Sequence, residues 1–198
     1  VTGLRLGDRV ADMTVVGSNV AYRTLKAGDV TRVPDGVDAA EAATLILSWT
    51  TAYQLLHRSA GVQAGQRVLV HGAAGAVGQA LLTLGRMAGL QLWGTARREQ
   101  AALVRELGGT PIDYQREDFT RVLPGGFDVV FDGICEEGGR RSLAALRPGG
   151  QLLFHDAVDS GGYGNVYPGV ARVASEVAAT DGWQQQPGAG SIEHFTRR

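Results

Sequence analysis

The chain has 198 residues, of which 44% are hydrophobic and 20% charged, and its formal net charge is −1 at pH 7. This composition is ordinary for a globular protein, and the near-zero net charge offers no basic surface for nucleic acid or an anionic membrane. The sequence carries no run of about 18 apolar residues and no recognisable secretion signal, which predicts a cytoplasmic protein.

The first 60 residues predict a small β region followed by helix. Residues 8–33 carry alternating or β-branched apolar positions bounded by Gly, Ser and Asn, which is typical of short strands. From Ala39 to Ser59 apolar residues recur at helical spacing, and Asp38 with Glu41 matches a capping box at the helix start. We place a β segment at 1–36 and connecting helices at 37–60.

From residue 67 the pattern changes to strands that alternate with helices. The apolar runs "RVLVHG", "LQLWGTA", "TPIDY", "FDVVFDG" and "QLLFHDA" are typical of strands in a parallel sheet. Helical patterns separate them, the first from Ala76 to Met87. This alternation predicts right-handed crossovers and an α/β fold with a doubly wound parallel (Rossmann) sheet over residues 61–157. Residues 158–198 show no clear period, and we expect them to be partly irregular.

A small-residue turn lies where the first of these strands meets its helix. "VLVHG" runs into "AAGAVGQALL", which places Gly75 and Gly78 at two glycine positions of G-x-G-x-x-G and Ala73 at the first. Small residues there let the chain turn tightly and let a pyrophosphate approach the helix start. A turn that needs glycine only for its geometry is the alternative. The position between a strand and a helix favours dinucleotide binding.

The end of the second strand predicts the type of dinucleotide. NAD enzymes usually carry an Asp or Glu there, whereas this chain reads Thr95, Ala96, Arg97 and Arg98. Two guanidinium groups without a carboxylate suit the 2′-phosphate of NADP. The alternative is that both arginines are solvated residues at a helix start. We predict NADP rather than NAD.

Metal and thiol chemistry find little support in the sequence. The chain has one cysteine, Cys135, and four histidines without ligand spacing, namely His57, His71, His155 and His194. We therefore predict no metal, and we interpret Cys135 as a small packing residue rather than a nucleophile. His71 and His155 each end a strand where they could line a cleft, although a structural role is the expected one. We assign no catalytic residue.

Six stretches occur together from about residue 7 to residue 154: "GDRV", "VPDGVDAAEAATLILSWTTAYQLL", "AGQRVLVHGAAGAVGQALLTLGRMAG", "GTARREQAALVRELGGTPIDYQREDF", "FDVVFDGI" and "SLAALRPGGQLL". Together they resemble the medium-chain dehydrogenase/reductase superfamily, in its zinc-independent quinone oxidoreductase and enoyl reductase branch. The resemblance implies hydride transfer from NADPH to a quinone or an α,β-unsaturated carbonyl. It also implies that residues 1–36 are part of a GroES-like domain and that two copies pair as a homodimer through the edge strand after "QLLF".

The resemblance carries site residues over to this chain. It implies Thr51 beside the nicotinamide, Ala74, Gly75, Ala76, Val77 and Gly78 around the pyrophosphate, Arg97 and Arg98 at the 2′-phosphate, and Tyr114 next to them.

The chain also departs from the family. Members are longer, so that most of the substrate-side wall lies outside this sequence, and His155 with Asp156 replaces a glycine common near the nicotinamide. We expect either part of a longer enzyme or a reduced homologue. A non-redox protein that keeps the fold, such as a cyclase or a binding module, and an NADPH sensor remain alternatives to the reductase.

Overall fold

The computed structural model describes residues 3–13, 20–134, 138–154, 177–179, 181–186 and 193–197. It divides into two compact units, residues 1–51 and residues 52–198. In the first unit, strands β1 (Val10–Asp12) and β2 (Val30–Arg32) pair antiparallel, with Val10 opposite Arg32. Helix α1 (Ala39–Tyr53) follows, and its last two residues belong to the second unit.

Helix α1 begins where the sequence predicts, because Asp38 caps it. The Asp38 Oδ1 atom accepts hydrogen bonds from the backbone N of Ala40 at 2.8 Å and of Glu41 at 3.2 Å. These bonds, that from Glu41 most of all, hold the pKa of Asp38 below its usual value. They also satisfy donors that have no partner within the helix. After α1 the chain continues as a π-helical turn over Gln54–Ser59, a change of winding that the sequence did not predict.

The second unit carries the main sheet. Its elements in chain order are β3 (Arg67–Val70), α2 (Ala76–Met87), β4 (Gln91–Ala96), α3 (Ala101–Glu106), β5 (Gly109–Asp113), β6 (Phe127–Asp132), α4 (Gly138–Ala145), β7 (Leu146–Phe154), β8 (Trp183–Gln186) and β9 (Glu193–Arg197). The described strands lie in the order β5-β4-β3-β6-β7-β9-β8. All neighbours from β5 to β7 pair in parallel, whereas β9 pairs antiparallel with both β7 and β8. The predicted doubly wound Rossmann sheet is confirmed.

The central strands of this sheet are buried on both faces, as their near-continuous apolar sequences predict. Val68, Leu69 and Val70 of β3 and Val129 and Val130 of β6 are all 0% exposed. Helices cover such a sheet because each buries one apolar stripe against it. Among the described residues, no helix is both long enough and apolar enough to cross a bilayer.

In the C-terminal part of the chain, which was expected to be partly irregular, Trp183–Gln186 and Glu193–Arg197 form strands that the sequence pattern did not predict. Strand β8 is nearly all polar and β9 is five residues long, so neither shows a readable period. Their position depends on a distant contact, since Phe195 packs against Phe154 of β7 with ring centroids 6.0 Å apart. The predictions for Cys135, His155 and Asp156 concern residues outside those that the structure describes.

Candidate cofactor-binding site

A cleft of about 370 Å³ lies at the carboxyl ends of β3, β4 and β6. The strand order reverses between β3 and β6, and in doubly wound sheets such a switch point is the usual place for a ligand. The lining residues all belong to the second unit: His71, Gly72, Ala74, Gly75, Thr95, Ala96, Arg97, Gln100, Tyr114, Phe119, Asp132, Ile134 and Arg141.

The turn from β3 to α2 has the close packing that a dinucleotide fingerprint requires. Gly72 adopts a left-handed φ of 63°, and the N–H of Gly75 donates to its carbonyl oxygen at 2.9 Å. A Cβ added to Gly78 would lie 2.3 Å from the same oxygen and 2.7 Å from Ala73 Cα. Only glycine lets the first turn of α2 lie so close to the preceding chain.

The start of α2 is suited to an anion. Gly75 precedes the first helical residue, and among the described residues no side chain caps the helix there. The first N–H groups of a helix lack intrahelical acceptors and carry its positive end. A pyrophosphate therefore fits this turn by both its backbone donors and the space that small residues leave.

The second feature of the cleft is a guanidinium at the end of β4. Arg97 Nε donates to the Tyr114 hydroxyl at 3.2 Å, and this bond raises the pKa of Arg97 above its usual value. Gln100 holds the same residue through the Arg97 backbone N–H, which donates to its side-chain oxygen at 3.3 Å. Arg98 begins the 3-10 turn Arg98–Gln100 and is exposed. The structure thus brings one of the two predicted arginines into the cleft.

The other predicted site residues fall into three groups. Ala74 and Gly75 line the cleft with Arg97 and Tyr114. Ala76, Val77 and Gly78 form the first turn of α2 directly after the lining residues. Thr51 lies in the last turn of α1, in the first unit. Their contacts with a cofactor stay predictions.

The sequence did not predict a polar network that includes three residues of the cleft lining, His71, Thr95 and Asp132. His71 Nδ1 lies 3.1 Å from Thr95 Oγ1, and its Nε2 lies 3.1 Å from Ser142 Oγ. Ser142 Oγ donates to Asp132 Oδ2 at 2.8 Å, and the N–H of Gly72 donates to Thr95 Oγ1 at 3.2 Å. The sequence held a partial signal, because His71 and Asp132 stand at strand ends where cleft residues gather. Ser142 lies inside a helix and carries no such signal.

The environment of His71 favours the neutral form of its ring. Burial lowers the pKa of His71, the positive charge of Arg141 lowers it further, and the negative charge of Asp132 opposes both. The edge of the Phe119 ring adds an apolar contact, with the two ring centroids 4.7 Å apart. The sequence analysis expected a structurally satisfied histidine that could line a cleft, and the structure shows both features at His71.

One wall of the cleft is held by Arg141. Its guanidinium lies 4.8 Å from the centroid of the Phe119 ring, and its Nη2 donates to Asp118 Oδ1 at 2.6 Å. Hydrogen bonds from Thr120 and then from Arg141 lower the pKa of Asp118. A charged bond and a cation–π contact therefore fix the side chain that faces the cleft.

Metal-ligating side chains are scattered rather than clustered in the part of the chain that the structure describes. Within those ranges, no three or more His, Cys, Asp and Glu side chains are grouped so as to hold a metal ion.

The chain is similar to known reductases along most of its length. It is 32% identical over 160 residues to a quinone oxidoreductase of Pongo abelii, an alignment that covers 77% of this chain and 49% of that protein. The solved structure of CurK enoyl reductase superposes with a TM-score of 0.71 at 32% identity, covering 77% of this chain and 48% of the other. The chain belongs to the medium-chain dehydrogenase/reductase superfamily. The resemblance read from the sequence is thereby confirmed.

A further solved structure is similar to the chain. A mycobacterial protein solved in complex with NADPH superposes with a TM-score of 0.72 at 31% identity, covering 86% of this chain and 55% of that one. No protein-family model matches the chain. It spans less than half the length of the curated relatives, as its 49% coverage of the Pongo abelii protein illustrates.

Proposed function

We propose that this protein is an NADPH-dependent, zinc-independent oxidoreductase that transfers a hydride to a quinone or an α,β-unsaturated carbonyl. The observation that carries the proposal is the position of Arg97, which lies in the cleft at the end of β4 and is anchored by Tyr114. The relatives named as a quinone oxidoreductase and an enoyl reductase support the reaction, and the relative solved with NADPH supports the cofactor.

The residues of the cleft fit the parts of NADPH. The turn at Gly72 and Gly75 and the first N–H groups of α2 suit the pyrophosphate. Arg97 suits the 2′-phosphate, because Tyr114 engages Nε while the two terminal nitrogens are the part of a guanidinium that grips phosphate bidentately.

The chemistry is divided between the cofactor and the chain. NADPH, when bound, supplies the hydride, and the residues of this chain bind and orient it. Phe119 contacts both the His71 ring and the Arg141 guanidinium and so forms part of one wall of the cleft. We assign no catalytic residue, and the rest of the substrate site is expected in the part of the relatives that this chain does not span.

A cofactor titration tests the proposal. We expect nicotinamide fluorescence and thermal stability to show tighter binding of NADPH than of NADH. Arg97→Ala is expected to weaken NADPH binding roughly 10- to 100-fold, which corresponds to one lost charge-assisted pair, and to leave NADH binding nearly unchanged.

Arg98→Ala is the matched control, because it removes the same charge one residue further along and outside the cleft lining. An equal loss in both variants would contradict the assignment of the 2′-phosphate to Arg97. NADPH binding without turnover of any quinone or enone would favour the non-redox alternative.

A further inference from the structure

We propose that His71 is a positioning residue for the cofactor, holding the phosphate-binding turn in shape through hydrogen bonds to Thr95 and Ser142. The proposal rests on the proposed function, because it assumes that this turn receives the pyrophosphate. His71 directly precedes Gly72, the left-handed residue of the turn.

The direction of each hydrogen bond follows from the groups at the ends of the network. The Asp132 carboxylate accepts the Ser142 hydroxyl proton at 2.8 Å, so Ser142 Oγ accepts from His71 Nε2–H. A neutral imidazole that donates from Nε2 accepts at Nδ1, and the donor there is the Thr95 hydroxyl. Thr95 Oγ1 in turn accepts the N–H of Gly72. A single order of donation therefore satisfies all four side chains and the turn.

This order of hydrogen-bond donation requires a neutral His71 ring, and the surroundings of His71 favour that form. Burial lowers the pKa of His71, as described above, which favours the neutral ring that this arrangement needs. A protonated ring would present two donors and leave the Thr95 hydroxyl without its acceptor at Nδ1.

The network joins elements that are distant in sequence. Thr95 lies in β4, Asp132 ends β6 and Ser142 lies in α4, so that three elements around the cleft converge on His71. Backbone bonds bring the same elements together, since the N–H of His71 donates to the Phe131 carbonyl at 2.9 Å. Gly72 has no side chain, and its N–H is held by Thr95 instead. Through Thr95, the side chain of His71 therefore holds the backbone N–H of Gly72, at the start of the turn, in the unliganded protein.

Nuclear magnetic resonance of unliganded protein carrying nitrogen-15-labelled histidine tests the proposed order of donation without any cofactor. We expect the nitrogen shifts of His71 to report a neutral ring protonated at Nε2, with a slowly exchanging Nε2 proton. A ring protonated at Nδ1, or an averaging mixture of both tautomers, would overturn the proposed order of donation.

Substitutions test the consequence for binding. His71→Leu is expected to raise the Kd for NADPH roughly 5- to 10-fold, the loss of one to two neutral hydrogen bonds. His71→Gln retains a donor near the Nε2 position and is expected to recover part of the affinity. Ser142→Ala removes the acceptor of His71 Nε2 and is expected to weaken binding in the same direction.

Ser59→Ala is the matched control, because Ser59 Oγ is also buried and has no hydrogen-bond partner among the described residues. Unchanged NADPH affinity in His71→Gln, Ser142→Ala and a folded His71→Leu would overturn the positioning role. If the unsubstituted chain binds neither NADPH nor NADH, the proposed function and the role of His71 toward a cofactor fail together. The His71 tautomer, measured without cofactor, still decides whether the hydrogen bonds of the network run in the proposed direction.

Discussion

At the scale of single residues, Gly78 is the described glycine at which an added Cβ would make the shortest contact. It starts no turn and has an ordinary helical conformation, yet a Cβ there would meet Gly72 O at 2.3 Å and Ala73 C at 2.8 Å. Both contacts are to backbone, which cannot rotate away as a flexible side chain can. The close approach of α2 to the preceding turn therefore depends on this one missing methyl group.

Gly78→Ala is expected to lower the free energy of unfolding by about 1–3 kcal/mol, because the helix must shift away from the turn. The same shift is expected to weaken NADPH binding, since it displaces the N–H groups that face the pyrophosphate. Denaturant unfolding and the fluorescence titration measure the two effects. Gly28→Ala is the control, because a Cβ there would meet no atom within 4 Å. Equal stability of the two variants would show that the turn accommodates a methyl group at position 78.

At the scale of elements, an acidic side chain joins three strands at the edge of the sheet opposite the cleft. Asp128 of β6 accepts the backbone N–H of Arg67 at 2.6 Å and is also bound by the side chains of Arg67 and Arg147. Burial acts to raise the pKa of Asp128, but the bonds from Arg67 and Arg147 outweigh it, and the pKa lies below its usual value. The side chain thus holds the starts of β3 and β6 to β7.

Asp128→Asn is expected to cost about 1.5–3 kcal/mol of unfolding free energy, the range for hydrogen bonds to a charged group. Chemical denaturation near neutral pH measures the change. Asp35→Asn serves for comparison, because Asp35 pairs with Arg32 while its side chain is 92% exposed. Exposed pairs of this kind contribute little. If Asp128→Asn lowered the unfolding free energy no more than Asp35→Asn, Asp128 would not hold the three strands together as described.

Some elements were predictable from local sequence and others were not. Helix α2 spans Ala76–Met87 as its pattern predicts, because a glycine turn starts it and apolar spacing continues through it. The π-helical turn after α1 was missed, since it depends on a bond from the Ala60 N–H to Leu55 O that no residue pattern encodes. Strands β8 and β9 were missed because their pairing with β7 spans residues far apart in the chain.

At the scale of the whole molecule, two histidines are expected to make stability depend on pH. Burial is the leading cause that lowers the pKa of both His71 and His194. The unfolded chain therefore takes up protons at a higher pH than the folded one. Their stabilising contribution is complete above the ordinary histidine pKa near 6.5 and declines as the pH falls toward the lower folded values.

Urea unfolding between pH 8 and pH 5 checks this dependence, and we expect the free energy of unfolding to fall below about pH 6.5. His194→Leu is expected to flatten part of the decline, because His194 Nε2 is buried without a hydrogen-bond partner among the described residues. Asp128 adds a second decline below its ordinary pKa of 3.8, since its lowered pKa favours the folded state above that value. An unchanged slope in His194→Leu would assign the decline to His71 alone.

The quaternary structure is a further expectation at this scale. The family resemblance predicts a homodimer through the edge strand after β7, and β8 is the outer described strand on that side of the sheet. An edge strand offers free backbone groups to a second copy. Sedimentation velocity is expected to give twice the mass of one chain, and a single-chain mass across the accessible concentration range would contradict the pairing.

The Rossmann unit and its glycine turn were readable in the chain because they depend on short-range chemistry: apolar runs, helical spacing, and backbone conformations that only small residues allow. The sequence did not show which of Arg97 and Arg98 enters the cleft. Side chains of neighbouring residues point in different directions, and only the tertiary structure at the end of β4 brings Arg97 to Tyr114. The four side chains of the hydrogen-bond network, His71 included, come from positions 71 to 142 of the chain. The tertiary structure brings such distant residues within hydrogen-bond distance, because β3 pairs with both β4 and β6, and helix α4 supplies Ser142.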